Sequence, residues 1–162
     1  MRERIALIAG LIVLAAIDYV IVQRESLVSN GKVVLLELAP VDPRSFMQGD
    51  YMALRFRLAT EVGSGRDMKD GRVVVALDER GVGKFKRFED ATPLAPNEVL
   101  VRYRVRDGQP KLATNAFFFQ EGHAHFYQGA RYGEFRASPD GEVILTAMRD
   151  ANLKVLGPTA QP

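Results

Sequence analysis

The feature that most constrains this chain is an apolar run near its N-terminus. Residues 5–22 are apolar except for Asp18, a short basic stretch (MRER) precedes them, and the polar residues 23–25 end the run. Eighteen residues of helix rise about 27 Å, close to the thickness of the hydrocarbon core of a bilayer. We therefore expect residues 1–24 to form a membrane anchor, and the core of the folded domain has to come from the rest of the chain.

A cleaved signal peptide is the alternative interpretation of this run. The sequence VLA at 13–15 is a passable cleavage site, but the apolar residues continue through Ile17 and Tyr19 to Val22, which favours an uncleaved anchor. Arg2 and Arg4 precede the helix and predict that the N-terminus stays in the cytoplasm. The rest of the chain would then face the periplasm or the outside.

Asp18 is the one charged residue within the predicted span. A carboxylate at mid-membrane costs roughly 2.5–3.5 kcal/mol on insertion scales, and less near an interface. Either Asp18 reaches the head groups or is protonated, or it pairs with a polar group on a neighbouring helix. The sequence leaves both alternatives open.

Composition excludes several classes of function. The 162 residues carry a net charge of +2, which is too small to indicate a nucleic-acid partner. The chain has no cysteine, so disulfides, zinc–thiolate sites and cysteine nucleophiles are excluded. No cofactor is expected.

Beyond the anchor, the dominant pattern is short apolar or alternating runs separated by turn residues. Residues 25–32 are predicted as a polar spacer, and strands are predicted over 32–39, 51–58, 72–77, 84–88, 98–105, 114–120, 134–137, 142–148 and 152–156. Residues 122–132 fit either a loop or a short helix. The spacing predicts a mainly β domain over 25–157, an antiparallel sandwich or small barrel, followed by a tail at 158–162.

The run at 51–58 alternates with period two. Met52, Leu54, Phe56 and Leu58 share one predicted face, and Arg55 and Arg57 lie on the other. We therefore expect the apolar set to be buried and both arginines to be exposed.

Residues 49–56, GDYMALRF, resemble the motif that names the GDYXXLXY family of membrane-anchored bacterial proteins. Further similarity lies at 24–25, 40–44, 120–122, 130–132 and in the closing segment with Gly141, Leu145 and Leu153. Phe56 departs from the motif, which has tyrosine there. The resemblance implies an anchored, mostly β protein of the bacterial inner membrane, with its domain in the periplasm, often encoded beside a multi-pass membrane protein. It implies no catalytic residue.

The motif has a structural explanation that needs no chemistry. Gly49 suits a turn with positive φ, Asp50 can accept backbone amides, and Pro43 fixes φ in a corner. Arg44 has Asp42 or Asp50 as a candidate partner. The positions assigned to this structural corner are Pro40, Asp42, Pro43, Arg44, Gly49, Asp50, Tyr51, Leu54 and Phe56.

A hydrolase is the catalytic alternative. Asp42 and Asp50 would act as an acid/base pair, or Ser45 would act with a lysine such as Lys69. A metal site is not expected, because His123 and His125 are the only histidines and two ligands rarely suffice.

Pairs of basic residues recur at alternate strand positions. Arg55 with Arg57 and Arg102 with Arg104 are either solvated strand faces or a basic surface for anionic lipid head groups or an acidic partner. The sequence thus favours an extracytoplasmic interaction or binding module that acts with a membrane partner. An envelope hydrolase is the alternative, and whether the chain is an enzyme stays open.

Overall fold

The computed structural model describes residues 2–39, 47–48, 51–63 and 68–158. Within these residues, two α-helices, α1 (Arg2–Asn30) and α2 (Arg57–Val62), and a 3₁₀ helix (His123–Tyr127) accompany eleven strands. The strands are β1 (Lys32–Glu37), β2 (Met47–Gln48), β3 (Tyr51–Ala53), β4 (Gly71–Leu77), β5 (Gly83–Phe88), β6 (Glu98–Arg106), β7 (Gln109–Leu112), β8 (Ala116–Phe118), β9 (Tyr132–Ala137), β10 (Val143–Arg149) and β11 (Val155–Leu156). The protein is therefore mainly β, as the sequence predicts.

α1 is longer than the predicted anchor. Its 29 residues form one helix that rises about 43 Å and continues through the segment predicted as a polar spacer. That prediction was wrong because polarity ends a membrane span but does not end a helix, and no glycine or proline occurs between Gly10 and Gly31. The helix ends at Asn30, and the amide of the next residue, Gly31, donates to the Leu27 carbonyl at 2.9 Å.

The strands of the described ranges form three antiparallel sheets with the orders β1-β9-β10-β11, β2-β3-β8 and β5-β4-β6-β7. The sheets curl into half-barrels around a shared apolar core. In the centre of the last sheet, Val73, Val74 and Val75 are all fully buried, so β4 is covered on both faces. This explains why its sequence is a continuous apolar run rather than an alternation.

The predicted strand at 51–58 is correct only in its first part. β3 stops at Ala53, the Leu54 amide donates to the Asn115 carbonyl at 2.7 Å, and α2 begins at Arg57. The predicted burial is nevertheless confirmed. Met52, Leu54, Phe56 and Leu58 are buried, and Arg55 and Arg57 are exposed. Leu58 satisfies both patterns, because with Val62 it also forms the buried face of α2.

Each of the other predicted strands has a counterpart, several of them shorter than predicted. The Asp107-Gly108 turn joins β6 to β7, and both of its residues have positive φ, 54° and 70°, as a tight two-residue hairpin turn requires. Residues 123–127 form the short helix that was one of the two alternatives there. Phe118 is 75 % exposed on edge strand β8.

Candidate membrane-proximal site

The apolar part of α1 is exposed along its length. The 24-residue stretch Leu7–Asn30 contains an 18-residue window with a mean hydropathy of 1.9 and is long and apolar enough to cross a bilayer. Its large exposed apolar residues are Leu7, Ile8, Leu11, Ile12, Val13, Leu14, Ile17, Tyr19, Val20, Ile21, Val22 and Val28. Asp18 is exposed among them. This surface has no partner in the described part of the domain, which is what a membrane span requires.

The last turns of α1 are joined to the domain by two kinds of contact. A Cβ on Gly31 would lie 2.5 Å from the Leu27 carbonyl oxygen and 2.9 Å from the Cβ of Arg136, so only glycine fits between the helix end and β9. The Arg136 guanidinium also donates to the Gly31 carbonyl at 3.3 Å. The helix therefore meets the domain through close packing rather than through a flexible linker.

Glu142 provides the second contact. One carboxylate oxygen accepts from Arg24 of α1 and the other from Arg102 of β6, each at 2.9 Å. Glu142 ends the β9–β10 turn, where the Ser138 hydroxyl donates to the Asp140 carboxylate and lowers the pKa of Asp140. The Arg102 amide donates to the Gly141 carbonyl at 2.8 Å. Three elements that are distant in sequence are thus joined beside the last turns of α1.

An apolar groove of about 950 Å³ lies between the last turns of α1 and β6; we call it the juxtamembrane groove. Val22, Leu27, Leu94 and Leu100 supply much of its apolar lining. Lys32 lies at its edge and donates to the Pro96 and Glu98 carbonyls at 2.5 and 3.2 Å. The groove begins where the apolar run of α1 ends.

A second, polar cavity of about 420 Å³ lies on the β6–β7 hairpin. Its cationic side chains are Arg102, Arg104, Arg106 and Lys111, and we call it the basic cleft. Arg104 and Lys111 are directly opposite each other in the ladder. Among the described residues, neither lies within 4 Å of a carboxylate oxygen, and Arg102 alone of the four has acidic partners, Glu142 and Asp140.

Like charges placed directly opposite on two strands destabilise a sheet. Arg104 and Lys111 are such a pair, and the Glu142 carboxylate that also lines the cleft is already shared by two arginines. The cleft therefore has an excess of positive charge that the described part of the fold does not compensate. Chemically, this arrangement suits an anionic group.

A different region of the molecule holds the described part of the motif; we call residues 51–58 the motif corner. Phe56 packs edge to face on Phe135 with ring centroids 5.3 Å apart, and Tyr51 lies 5.8 Å from Phe118. Leu54 is 5 % exposed and Phe56 is 3 % exposed. Phe56 thus packs against β9 of the β1-β9-β10-β11 sheet, and the structural role assigned to the motif stays a prediction.

The remaining predicted residues of the corner, namely Pro40, Asp42, Pro43, Arg44, Gly49 and Asp50, lie outside the described residues. So does Ser45, and the hydrolase alternative therefore stays a prediction. Lys69, its suggested partner, is exposed.

The predicted basic pairs separate into two places. Arg102 and Arg104 meet in the basic cleft, whereas Arg55 is exposed in the motif corner and Arg57 pairs with Glu37 at 3.3 Å. Lys111, which faces Arg104, was missed, although the two-residue turn at 107–108 fixes that register. Arg24 and Glu142 were also missed, and no local pattern marks them.

The two histidines do not form a site with other ligands. Both lie on the 3₁₀ helix, where Nδ1 of His125 is 2.9 Å from the Gly122 carbonyl oxygen and both rings contact Phe126. Within the described ranges, no group of three metal-type side chains is close enough to hold an ion.

Comparison with known families places the chain. The family model described as GDYXXLXY protein matches residues 13–148, from the middle of α1 to near the end of β10. No curated protein and no solved structure matches this chain significantly. Because the family model covers most of the chain, including the motif corner and the membrane-proximal contacts, the chain belongs to the GDYXXLXY family.

Proposed function

We propose that this protein is a membrane-anchored extracytoplasmic interaction module of the bacterial inner membrane that acts with a membrane partner. Its N-terminus lies in the cytoplasm and its β domain in the periplasm. The observation that carries this proposal is the continuity of α1, whose exposed apolar surface leads directly into the packed contacts at Leu27 and Gly31 and the ion pair at Arg24. A module held in this way has a fixed orientation to the bilayer.

The exposure of α1 supports an uncleaved anchor. Cleavage after Ala15 would leave Ile17, Tyr19 and Val20–Val22 on the surface, each of them roughly half exposed or more. A soluble protein rarely exposes such a continuous apolar strip. Arg2 and Arg4 support the inward orientation of the N-terminus.

Asp18 supports a partner within the membrane. Its side chain is exposed on a helix that has no other helix beside it among the described residues. A carboxylate at such a position is stabilised by a polar group on another spanning helix. A multi-pass membrane protein is the partner class that supplies one.

Topology is tested with a periplasm-dependent reporter, such as alkaline phosphatase, fused after Pro162 of the full chain. We expect activity together with a mature protein that retains Met1. A matched fusion that lacks residues 1–22 should be inactive. Activity of the truncated fusion alone, or recovery of a soluble product that begins near Ala16, would contradict the anchor.

The partner is tested with a photo-crosslinker in α1. Leu14 lies on the face of Asp18, one turn before it, whereas Ala16 is at a similar depth on the opposite face. We expect a crosslinked membrane protein from position 14 and none from position 16, with loss of the product in Asp18→Ala. Equal products from both positions would indicate random collisions in the bilayer.

A further inference from the structure

We propose that the basic cleft and the juxtamembrane groove together bind one anionic phospholipid of the membrane that holds α1. The phosphate lies between Arg104 and Lys111, and an acyl chain enters the groove beside Leu94 and Leu100. This inference deepens the proposed function and depends on its membrane anchor. It assigns a ligand class to a surface whose lining includes no residue of the motif corner.

The charge of the cleft is the first step. Arg102, Arg104, Arg106 and Lys111 supply four cations, and Glu142 is the one carboxylate among the described residues that line the cavity. Arg106 donates only to the carbonyl of its neighbour Val105, at 2.9 Å, among the contacts of the described chain. Opposed cations that lower stability are explained if a phosphate lies between them in use, because arginine and lysine are the side chains that bind phosphate oxygens.

Position is the second step. Glu142 lines both cavities, so the basic cleft and the juxtamembrane groove are neighbours. The same carboxylate is paired with Arg24, two residues beyond Val22, where the continuous apolar run ends. The cleft is therefore held near the level at which the helix leaves the hydrocarbon, where lipid phosphates lie.

The third step concerns the juxtamembrane groove, which distinguishes a phospholipid from other anionic ligands. A free anion or an acidic protein would use the basic cleft alone and leave the groove unoccupied. A phospholipid uses both, because its charged head and its acyl chain are covalently joined. Leu94 is 41 % exposed at the groove, so apolar surface is available to such a chain.

The test measures binding to the full chain in an uncharged detergent, which makes it independent of topology in the cell. Short-chain phosphatidylglycerol, short-chain phosphatidylcholine and inorganic phosphate are titrated, and bound ligand is counted by native mass spectrometry. We expect phosphatidylglycerol to bind more tightly than either of the other two. Arg104→Gln/Lys111→Gln should weaken it about thirtyfold, since each basic residue near a lipid surface contributes about a factor of five.

Matched variants separate this site from a general charge effect. Lys84→Gln/Lys154→Gln removes the same charge from exposed lysines outside both cavities and should leave the affinity unchanged. The charge-preserving Arg104→Lys/Lys111→Arg should retain binding. Leu94→Ser should weaken lipid binding without changing that of phosphate.

Four results would overturn the proposal. These are equal losses in the two double-glutamine variants, inorganic phosphate binding as tightly as the lipid, no effect of Leu94→Ser, and an acidic peptide such as polyglutamate binding more tightly than phosphatidylglycerol. A failed reporter test with intact lipid binding would overturn the proposed topology and leave the site in place, so the two failures are distinguishable.

Discussion

The motif corner and the basic cleft differ in how well their side chains are packed and paired. In the corner, Leu54 and Phe56 are almost fully buried, and Phe56 packs on Phe135 of the main sheet. In the cleft, Arg104 and Lys111 face each other with no acidic partner in the described chain. The corner contributes to the stability of the isolated protein, whereas the cleft reduces it. The difference suits a structural role for the described part of the motif and leaves the cleft as the surface with uncompensated charge, and the predictions below test both roles.

A similar contrast exists within β6. At its first residue, the Glu98 carboxylate is buried and accepts from Lys86 at 2.6 Å and from the Ala95 amide at 3.1 Å. Towards its other end, Arg104 has no acidic partner among the described residues. One strand thus carries a fully compensated charge and an uncompensated one, so the lack of compensation is a local property of the cleft.

The largest expected effect lies in the motif corner. Leu54→Ala should lower the free energy of unfolding by about 2–5 kcal/mol, because it leaves a cavity in the core. Arg55→Ala, next to it but exposed, should change that free energy by less than about 0.5 kcal/mol. Denaturant unfolding of both variants in detergent measures the difference, and similar values for the two would contradict the structural role of the corner.

An effect in acid should follow at the compensated end of β6. The hydrogen bond from Lys86, the Ala95 amide and the charge of Arg87 lower the pKa of Glu98 in the folded state. Its stabilising contribution is therefore complete above the ordinary glutamate pKa and is lost as pH falls through the lower, folded value. At pH 7, Glu98→Gln should melt at a lower temperature than the unmodified protein. Between neutral pH and about pH 3, the variant should lose less stability than the unmodified protein does.

The control for this effect is Glu79→Gln, which changes an exposed glutamate that contacts no cation among the described residues. Its melting temperature should follow that of the unmodified protein at every pH. If the melting temperatures of Glu98→Gln and of the unmodified protein change in parallel with pH, the ionisation of Glu98 does not contribute to the pH dependence of stability.

A smaller effect is expected where the anchor meets the domain. Glu142→Gln weakens two partly exposed ion pairs, each worth about 0.2–1 kcal/mol, so the protein should stay folded. The orientation of α1 should nevertheless vary more. Spin labels on α1 and β10 measure this as a broader distance distribution, and an unchanged distribution would assign the orientation to the packing at Gly31 alone.

The smallest stability effect is expected in the cleft itself. Arg104→Gln/Lys111→Gln removes an opposed pair of like charges and should leave the free energy of unfolding unchanged or raise it by less than about 1 kcal/mol. A clear destabilisation by this double variant would show that the cleft has a structural role, and the contrast with the motif corner would fail.

Local sequence patterns predicted those features that depend on neighbours in the chain. Period-two alternation identified the burial of Leu54 and Phe56 and the exposure of both arginines beside them. It did not show that the chain leaves the strand at Leu54, because a residue such as Leu58 fits the buried face of a strand and of a helix equally well.

Features that depend on tertiary contacts were not predictable in this way. Polar residues after Val22 were interpreted as the end of the helix, yet α1 continues to Asn30 and contacts β9 and β10. Glu142 acquires its role only when the β9–β10 turn lies between α1 and β6. The position of Lys111 depends on both kinds of information, since a two-residue turn at 107–108, which is a local feature, places it opposite Arg104 on the next strand.

The most direct test of the central claim is the depth of the basic cleft relative to the bilayer. The chain has no cysteine, so Asn115→Cys at the cleft and Asn152→Cys at the far end of β10 each accept a single spin label. Each labelled protein is placed in nanodiscs, with or without phosphatidylglycerol, and its exposure to a lipid-soluble and a water-soluble relaxing agent is compared. We predict that the label at position 115 lies at head-group depth when the anionic lipid is present, while the label at position 152 stays in water in both. A label at position 115 that is as water-exposed as the label at 152 in both bilayers would contradict the account.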